Sequence, residues 1–131
     1  MKDFLKYDLH MSDSFRDATD ARRAEVCNGA GAKNGIKVPN TFWGLNMRPA
    51  FDIHDWDYEH GFTKEDKAMA DRYMFFNTLV IIEAQTGLQQ IVLKPLRRRR
   101  ALAYYEIVTI GGERAFWVNK TIPTTVEETL K

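Results

Sequence analysis

Apolar residues recur at helical spacing over three stretches of this chain, and turn-forming residues separate them. In the strongest stretch Thr63 stands where an N-cap belongs, and Glu65 and Asp66 fall in a first turn whose dipole favours negative charge. Residues 68–84 then continue in strong helix formers and large apolar side chains, which predicts a helix to about residue 84. Upstream, Pro49 suits a first helical turn and Gly61 an end, framing a helix over 49–60. Only Gly61-Phe62-Thr63 joins the two, so they are expected to run antiparallel as neighbours. Downstream, Leu96, Ala103, Tyr104 and Ile107 recur at helical spacing, Pro95 fits position N1, and Gly111-Gly112 closes the pattern. A third helix over about 94–110 follows.

The flanking segments are weaker. Ser12 or Asp13 can cap a short helix over 13–26 that places Phe15, Ala18, Arg22 and Val26 on one side. Between residues 27 and 49 the density of Gly, Asn and Pro is too high for a helix or a long strand, while Ile36, Val38, Phe42, Trp43 and Leu45 supply apolar anchors. An ordered loop is expected there. Phe116 and Trp117, within 114–120, are expected to pack back on the helices, and about 121–131 to form a flexible tail. Without repeats, linkers or low-complexity tracts, 1–131 is read as a single, mainly α domain.

Composition narrows the classes. With 131 residues, 44% hydrophobic and 28% charged, the chain has the size of one globular domain. A formal charge of +1 gives no whole-molecule field for a polyanion, so no specific nucleic-acid partner is expected. The lone cysteine, Cys27, excludes an intrachain disulfide and suits a reducing compartment. Charges in Met1–Asp8 are too dense for a signal peptide. The longest aliphatic run, Leu79-Val80-Ile81-Ile82, ends at Glu83, far short of the ~20 residues that cross a bilayer. A soluble or peripheral protein is expected.

The chemistry concentrates in Asp52-Ile53-His54-Asp55-Trp56-Asp57-Tyr58. A His followed by an Asp on one helix points a base and a carboxylate roughly 100° apart. Tyr58, four residues after His54, can line the same groove and orient a carboxylate through its hydroxyl. Together with the glycine-bearing Cys27-Asn28-Gly29-Ala30-Gly31 and an Asp on the next helix, in Ala70-Asp71-Arg72-Tyr73-Met74-Phe75, the segment resembles the phospholipase A2 superfamily, in particular its bacterial and phage-borne members. The resemblance covers roughly 27–77.

It implies a phospholipase A2-like antiparallel helical hairpin with an irregular calcium-loop-like segment and, here, an additional C-terminal helix. It also implies hydrolysis of a glycerophospholipid sn-2 ester, with water activated by His54 and the imidazole held by Asp71. Asp55 and the backbone carbonyls of Gly29 and Gly31 would hold Ca²⁺, with Ala30 and Tyr58 in support. Phospholipid or a membrane surface is the implied partner, touched by Trp43, beside Phe42, and by Arg97, Arg98, Arg99 and Arg100. The cytoplasm or a phage particle is the implied location. Secreted members of that superfamily staple the loop with a disulfide; here packing by Phe42, Trp43, Leu45 and Phe51 must serve.

Plainer alternatives stand beside each assignment. His54 can be a core histidine, Asp71 can pair with Lys67 on an exposed face, Tyr58 can be a packing residue, and Cys27 is read as structural rather than nucleophilic. The arginine run can be a solvated helix surface with one member lying along apolar surface. A metal site from His54, Asp57, Glu59 and His60 lacks a zinc spacing. At the level of the whole protein, the alternative is a non-catalytic phage or prophage structural protein that keeps the fold and contacts other particle proteins.

Overall fold

The computed structural model describes residues 3–27, 39–117 and Lys120. After a 3-10 turn over Asp3–Leu5 come α1 (Asp13–Asp17), α2 (Asp20–Val26), β1 (Thr41–Phe42), β2 (Leu45–Asn46), α3 (Arg48–His60), α4 (Lys64–Glu83), α5 (Gln90–Gly111) and α6 (Glu113–Trp117). Helix accounts for 71% of the described residues, so the fold is mainly α. Among these residues no helix is long and apolar enough to cross a membrane. The expected loop over 29–31 and the expected tail over 121–131 lie outside the described residues.

Helices α3 and α4 form where the sequence places them. A reciprocal capping box starts α4: Thr63 Oγ1 accepts from Asp66 N at 3.0 Å, and Asp66 Oδ2 accepts from Thr63 N at 3.1 Å. The α4 residues that meet α3 move backward as α3 advances, with His54 against Asp71 and Tyr58 against Lys67, so the two helices are antiparallel. Gly61, in the connection, has an ordinary φ of −86°. A Cβ there would lie 2.8 Å from Phe116 Cε1, so the glycine makes room for α6 to close over the turn. Phe116 and Trp117 are indeed buried.

Two expected helices differ in detail. The stretch 13–26 is broken, with Ala18 and Thr19 extended, because Thr19 is a better cap than an interior residue: its hydroxyl accepts from Arg22 N at 3.1 Å. Arg23 then turns inward, to 2% exposure, and donates to the carbonyls of Phe15 at 2.8 Å and Ala18 at 2.5 Å that the end of α1 leaves open. Arg22, expected on the apolar side, is exposed instead. Helix α5 starts at Gln90, upstream of the expected residue 94, so Pro95 sits in its second turn rather than at N1. Bonds from Gln90 N to Gly87 O and from Ile91 N to Leu88 O build that earlier turn.

The loop region ends in a small antiparallel hairpin, Phe42 paired with Leu45, closed by Trp43 (φ 49°) and Gly44 (φ 79°). Positive φ at both central residues is the two-residue turn that matches strand twist, and a tryptophan in that region is strained. Phe42 is fully buried against Phe51 and Tyr104, whose rings stack at 5.4 Å. Trp43 is 53% exposed, so it does not help to pack the loop. Phe42, being buried, is not available to a membrane.

Arg97 also departs from expectation. Rather than reaching water, its guanidinium is buried at 7% exposure and donates to Phe42 O at 3.0 Å, Trp43 O at 2.7 Å and Gln90 Oε1 at 3.2 Å. It belongs to the core and not to a contact surface. Arg98, Arg99 and Arg100 are exposed, with Arg98 bonded to Glu83 by two guanidinium nitrogens at 2.7 and 3.0 Å.

Candidate active site

Helix α3 buries His54 and Tyr58 on the side facing α4, where the 3- and 4-residue spacing of Lys67, Ala70, Asp71, Met74, Asn77 and Thr78 forms the matching buried stripe. His54 Nε2 lies 2.8 Å from Asp71 Oδ1, with both side chains nearly excluded from water. A carboxylate only accepts, so the ring proton sits on Nε2 and leaves the Nδ1 lone pair available. Among the described residues nothing bonds Nδ1.

Asp71 is shared more widely than the sequence suggests. Tyr58 Oη donates to the same Oδ1 at 2.6 Å, and Lys67 Nζ donates to Oδ2 at 2.9 Å. Lys67 also donates to Val108 O of α5 at 3.0 Å, which ties three helices to one carboxylate. The expected exposed pairing of Asp71 with Lys67 is thus a buried one, with Lys67 5% and Asp71 2% exposed. Burial by itself would raise the Asp71 carboxyl, but the bonds from His54, Tyr58 and Lys67 hold it below the usual carboxylate range. Burial, then the neighbouring Asp71 charge, pushes the Tyr58 phenol upward, so it remains a hydrogen-bond donor.

Asp55 is half-buried one step further along α3, and its charge reaches Cys27, where it adds to the burial that pushes the thiol up to about 12. Cys27 is therefore a protonated structural residue at neutral pH. Its Sγ donates to Asp52 O at 3.2 Å, and Arg48 Nη2 donates to Cys27 O at 3.4 Å. Tyr104 Oη holds Pro39 O at 2.7 Å. Both ends of segment 28–38 are thereby tied down without a disulfide.

The donor chemistry suits a hard cation in one respect: Asp55 offers carboxylate oxygen near the start of that segment. Among the described residues no three His, Cys, Asp or Glu side chains gather to hold a metal. Gly29, Ala30 and Gly31 lie outside the described residues, and His54, Asp57, Glu59 and His60 form no joint site. Compared with known proteins, the chain matches no family model, no curated protein and no solved structure.

The connection to α6 bears on this site. A Cβ on Gly112 would lie 2.5 Å from Tyr58 Oη and 2.5 Å from the Val108 carbonyl. Gly112→Ala is expected to displace the phenol and cost roughly 2 kcal/mol, by overpacking and the loss of a buried hydrogen bond. Chemical denaturation of the two proteins checks this.

Proposed function

We propose that the chain is a phospholipase A2-like hydrolase that cleaves the sn-2 ester of a glycerophospholipid. The observation that carries the reading is the buried His54–Asp71 pair with its outer ring nitrogen unbonded among the described residues. In this reading Nδ1 of neutral His54 takes a proton from water as the water oxygen attacks the ester carbonyl. Asp71 fixes the tautomer and stabilises the imidazolium. The same proton then passes to the departing glycerol oxygen, releasing fatty acid and lysophospholipid. Tyr58 orients Asp71, whereas Lys67, by sharing its negative charge, tempers the basicity it confers on His54.

Asp55 with the Gly29 and Gly31 carbonyls would hold Ca²⁺, which when bound polarises the ester carbonyl and neutralises the phosphate. A backbone N–H near Gly31 would add to the oxyanion site. The exposed indole of Trp43 and the side chains of Arg99 and Arg100 are the groups offered to a phospholipid surface.

One observation favours a second reading. His54, Tyr58, Lys67 and Asp71 are all buried and joined through the Asp71 carboxylate, as a network serving only to clamp α3, α4 and α5 would be in a non-catalytic phage structural protein. Fatty-acid release from mixed phospholipid vesicles separates the two. Hydrolysis is expected to need Ca²⁺, to stop with chelator, and to fall about 10²–10⁴-fold in His54→Gln while the variant stays folded. Activity that is absent from the wild type, indifferent to calcium or unchanged in His54→Gln sinks the enzyme reading.

A further inference from the structure

On another flank of α3, Trp56 and His60 lie about 200° and 240° around the helix from His54. There the segment 10–14 crosses α3 and α4 and closes a cleft of about 280 Å³. Asn77, fully buried, holds this segment in place: its amide accepts from His10 N at 2.8 Å and donates to His10 O at 2.9 Å. Trp56 Nε1 donates to Ser14 Oγ at 3.0 Å and closes the other end. The cleft is thus built by long-range bonds and is not a loose surface fold.

Its walls are aromatic pairs. His10 stacks on Tyr73 at 3.7 Å and 28°, and His60 stacks on Trp56 at 4.4 Å and 28°. Between them the lining includes the carboxylates of Asp57 and Asp66 and no Lys or Arg. Asp66 is committed to the backbone N–H groups of Phe62 and Thr63. Asp57 has no hydrogen bond or ion pair with any described residue and is half-buried in the cleft wall. His60 Nδ1 donates to Trp56 O at 2.9 Å, which turns its other nitrogen toward solvent or ligand. Arg22 meets the Trp56 ring at 6.0 Å but is paired with Glu25, and neither it nor Lys120, whose charge reaches Asp66, lines the cleft.

A half-buried carboxylate with no partner among the described residues, set between two aromatic walls, suits a positively charged ligand. The geometry points to a binding site in this cleft for a small organic cation, an ammonium or quaternary-amine group seated against the Asp57 carboxylate and the Tyr73 ring. The volume suits a ligand at the small end of the range that pockets accept. This site does not depend on hydrolysis at His54.

Choline chloride is the probe, and its uncharged carbon isostere 3,3-dimethylbutan-1-ol is the control, since the two differ in charge and hardly in shape. Titration of the full chain, followed by NMR shifts at pH 8 and constant ionic strength, is expected to show saturable choline binding with Kd on the order of 1–10 mM. The isostere is expected to bind about tenfold more weakly. Asp57→Asn is expected to lose about tenfold for choline and nothing for the isostere, and Tyr73→Leu to lose about threefold. Thermal melting confirms that each variant is folded. Equal affinity for the two probes, no saturable binding of choline up to about 100 mM, or wild-type affinity in folded Asp57→Asn overturns the site.

Discussion

Asp71→Asn is expected to cost about 3–5 kcal/mol and to lower the melting temperature by roughly 10–20 °C. Among the described residues Asp71 is the one buried carboxylate that meets Lys67, and it also accepts from His54 and Tyr58. An amide in its place turns N–H groups toward the ammonium and leaves that buried charge with only the exposed Glu113 carboxylate, 3.9 Å away. The double variant Lys67→Met/Asp71→Asn removes the stranded charge and is expected to recover much of the loss, a coupling that a double-mutant cycle measures. The pH dependence follows from the depressed carboxyl. The folded state binds this proton less readily than the unfolded chain, whose value is about 3.9, so the stabilisation is present above about pH 4 and is lost as pH falls through the depressed value. Melting curves of wild type and Asp71→Asn from pH 7 to pH 3 should therefore converge at the acid end. Parallel curves with a small offset would mean that the network carries little stability.

Asp57→Asn is expected to move stability the other way. Burial holds this carboxyl up to about 7, against about 3.9 unfolded, with His10, His60 and Asp66 as the titratable groups facing it in the cleft. Below about pH 4 it is neutral in both states and costs nothing. As pH rises the unfolded chain releases the proton first, and folding carries a penalty that is complete above about pH 7. The interval corresponds to at most about 4 kcal/mol. An amide avoids the charge but still buries a polar group, so the expected gain is about 2 kcal/mol at pH 8, shrinking to zero near pH 4. Denaturant titration at the two pH values checks it. A variant less stable than wild type at pH 8, or a gain equal at both, would show that the carboxylate is not held against its own ionisation. With the choline titration, the same substitution asks whether a destabilising group serves a ligand.

The antiparallel helix pair and the His54–Asp71 contact were legible because their signals are local. Thr63 and Asp66 announce the start of α4, three residues bridge α3 to α4, and the approach of His54 to Asp71 follows from the antiparallel geometry once both helices are placed. Lys67 was harder to place: it shares the buried stripe with Asp71 at i, i+4, yet a lysine on a helix reads by default as solvated. Arg23 and Arg97 hide for a related reason, since each is buried to satisfy open carbonyls, those of Arg23 left by the break after α1 and those of Arg97 by the distant hairpin. Pro95 misled because proline marks a first turn more often than a second. The cleft at Asp57 was out of reach, as its outer wall is held by Asn77 across 67 residues of sequence. The calcium-loop assignment remains a proposal resting on Gly29 and Gly31.

Arg97 gives the turn at Trp43-Gly44 a place in the order of folding. Its donors meet the carbonyls of Phe42 and Trp43 from 55 and 54 residues away, so the hairpin is closed by a helix made much later in synthesis. Two paired residues around a strained tryptophan have little reason to persist alone. The turn is therefore expected to form on the late side of the folding barrier, with φ-values near zero for substitutions in it. The side chain that looked like one quarter of a surface charge run sets when the loop region acquires its shape.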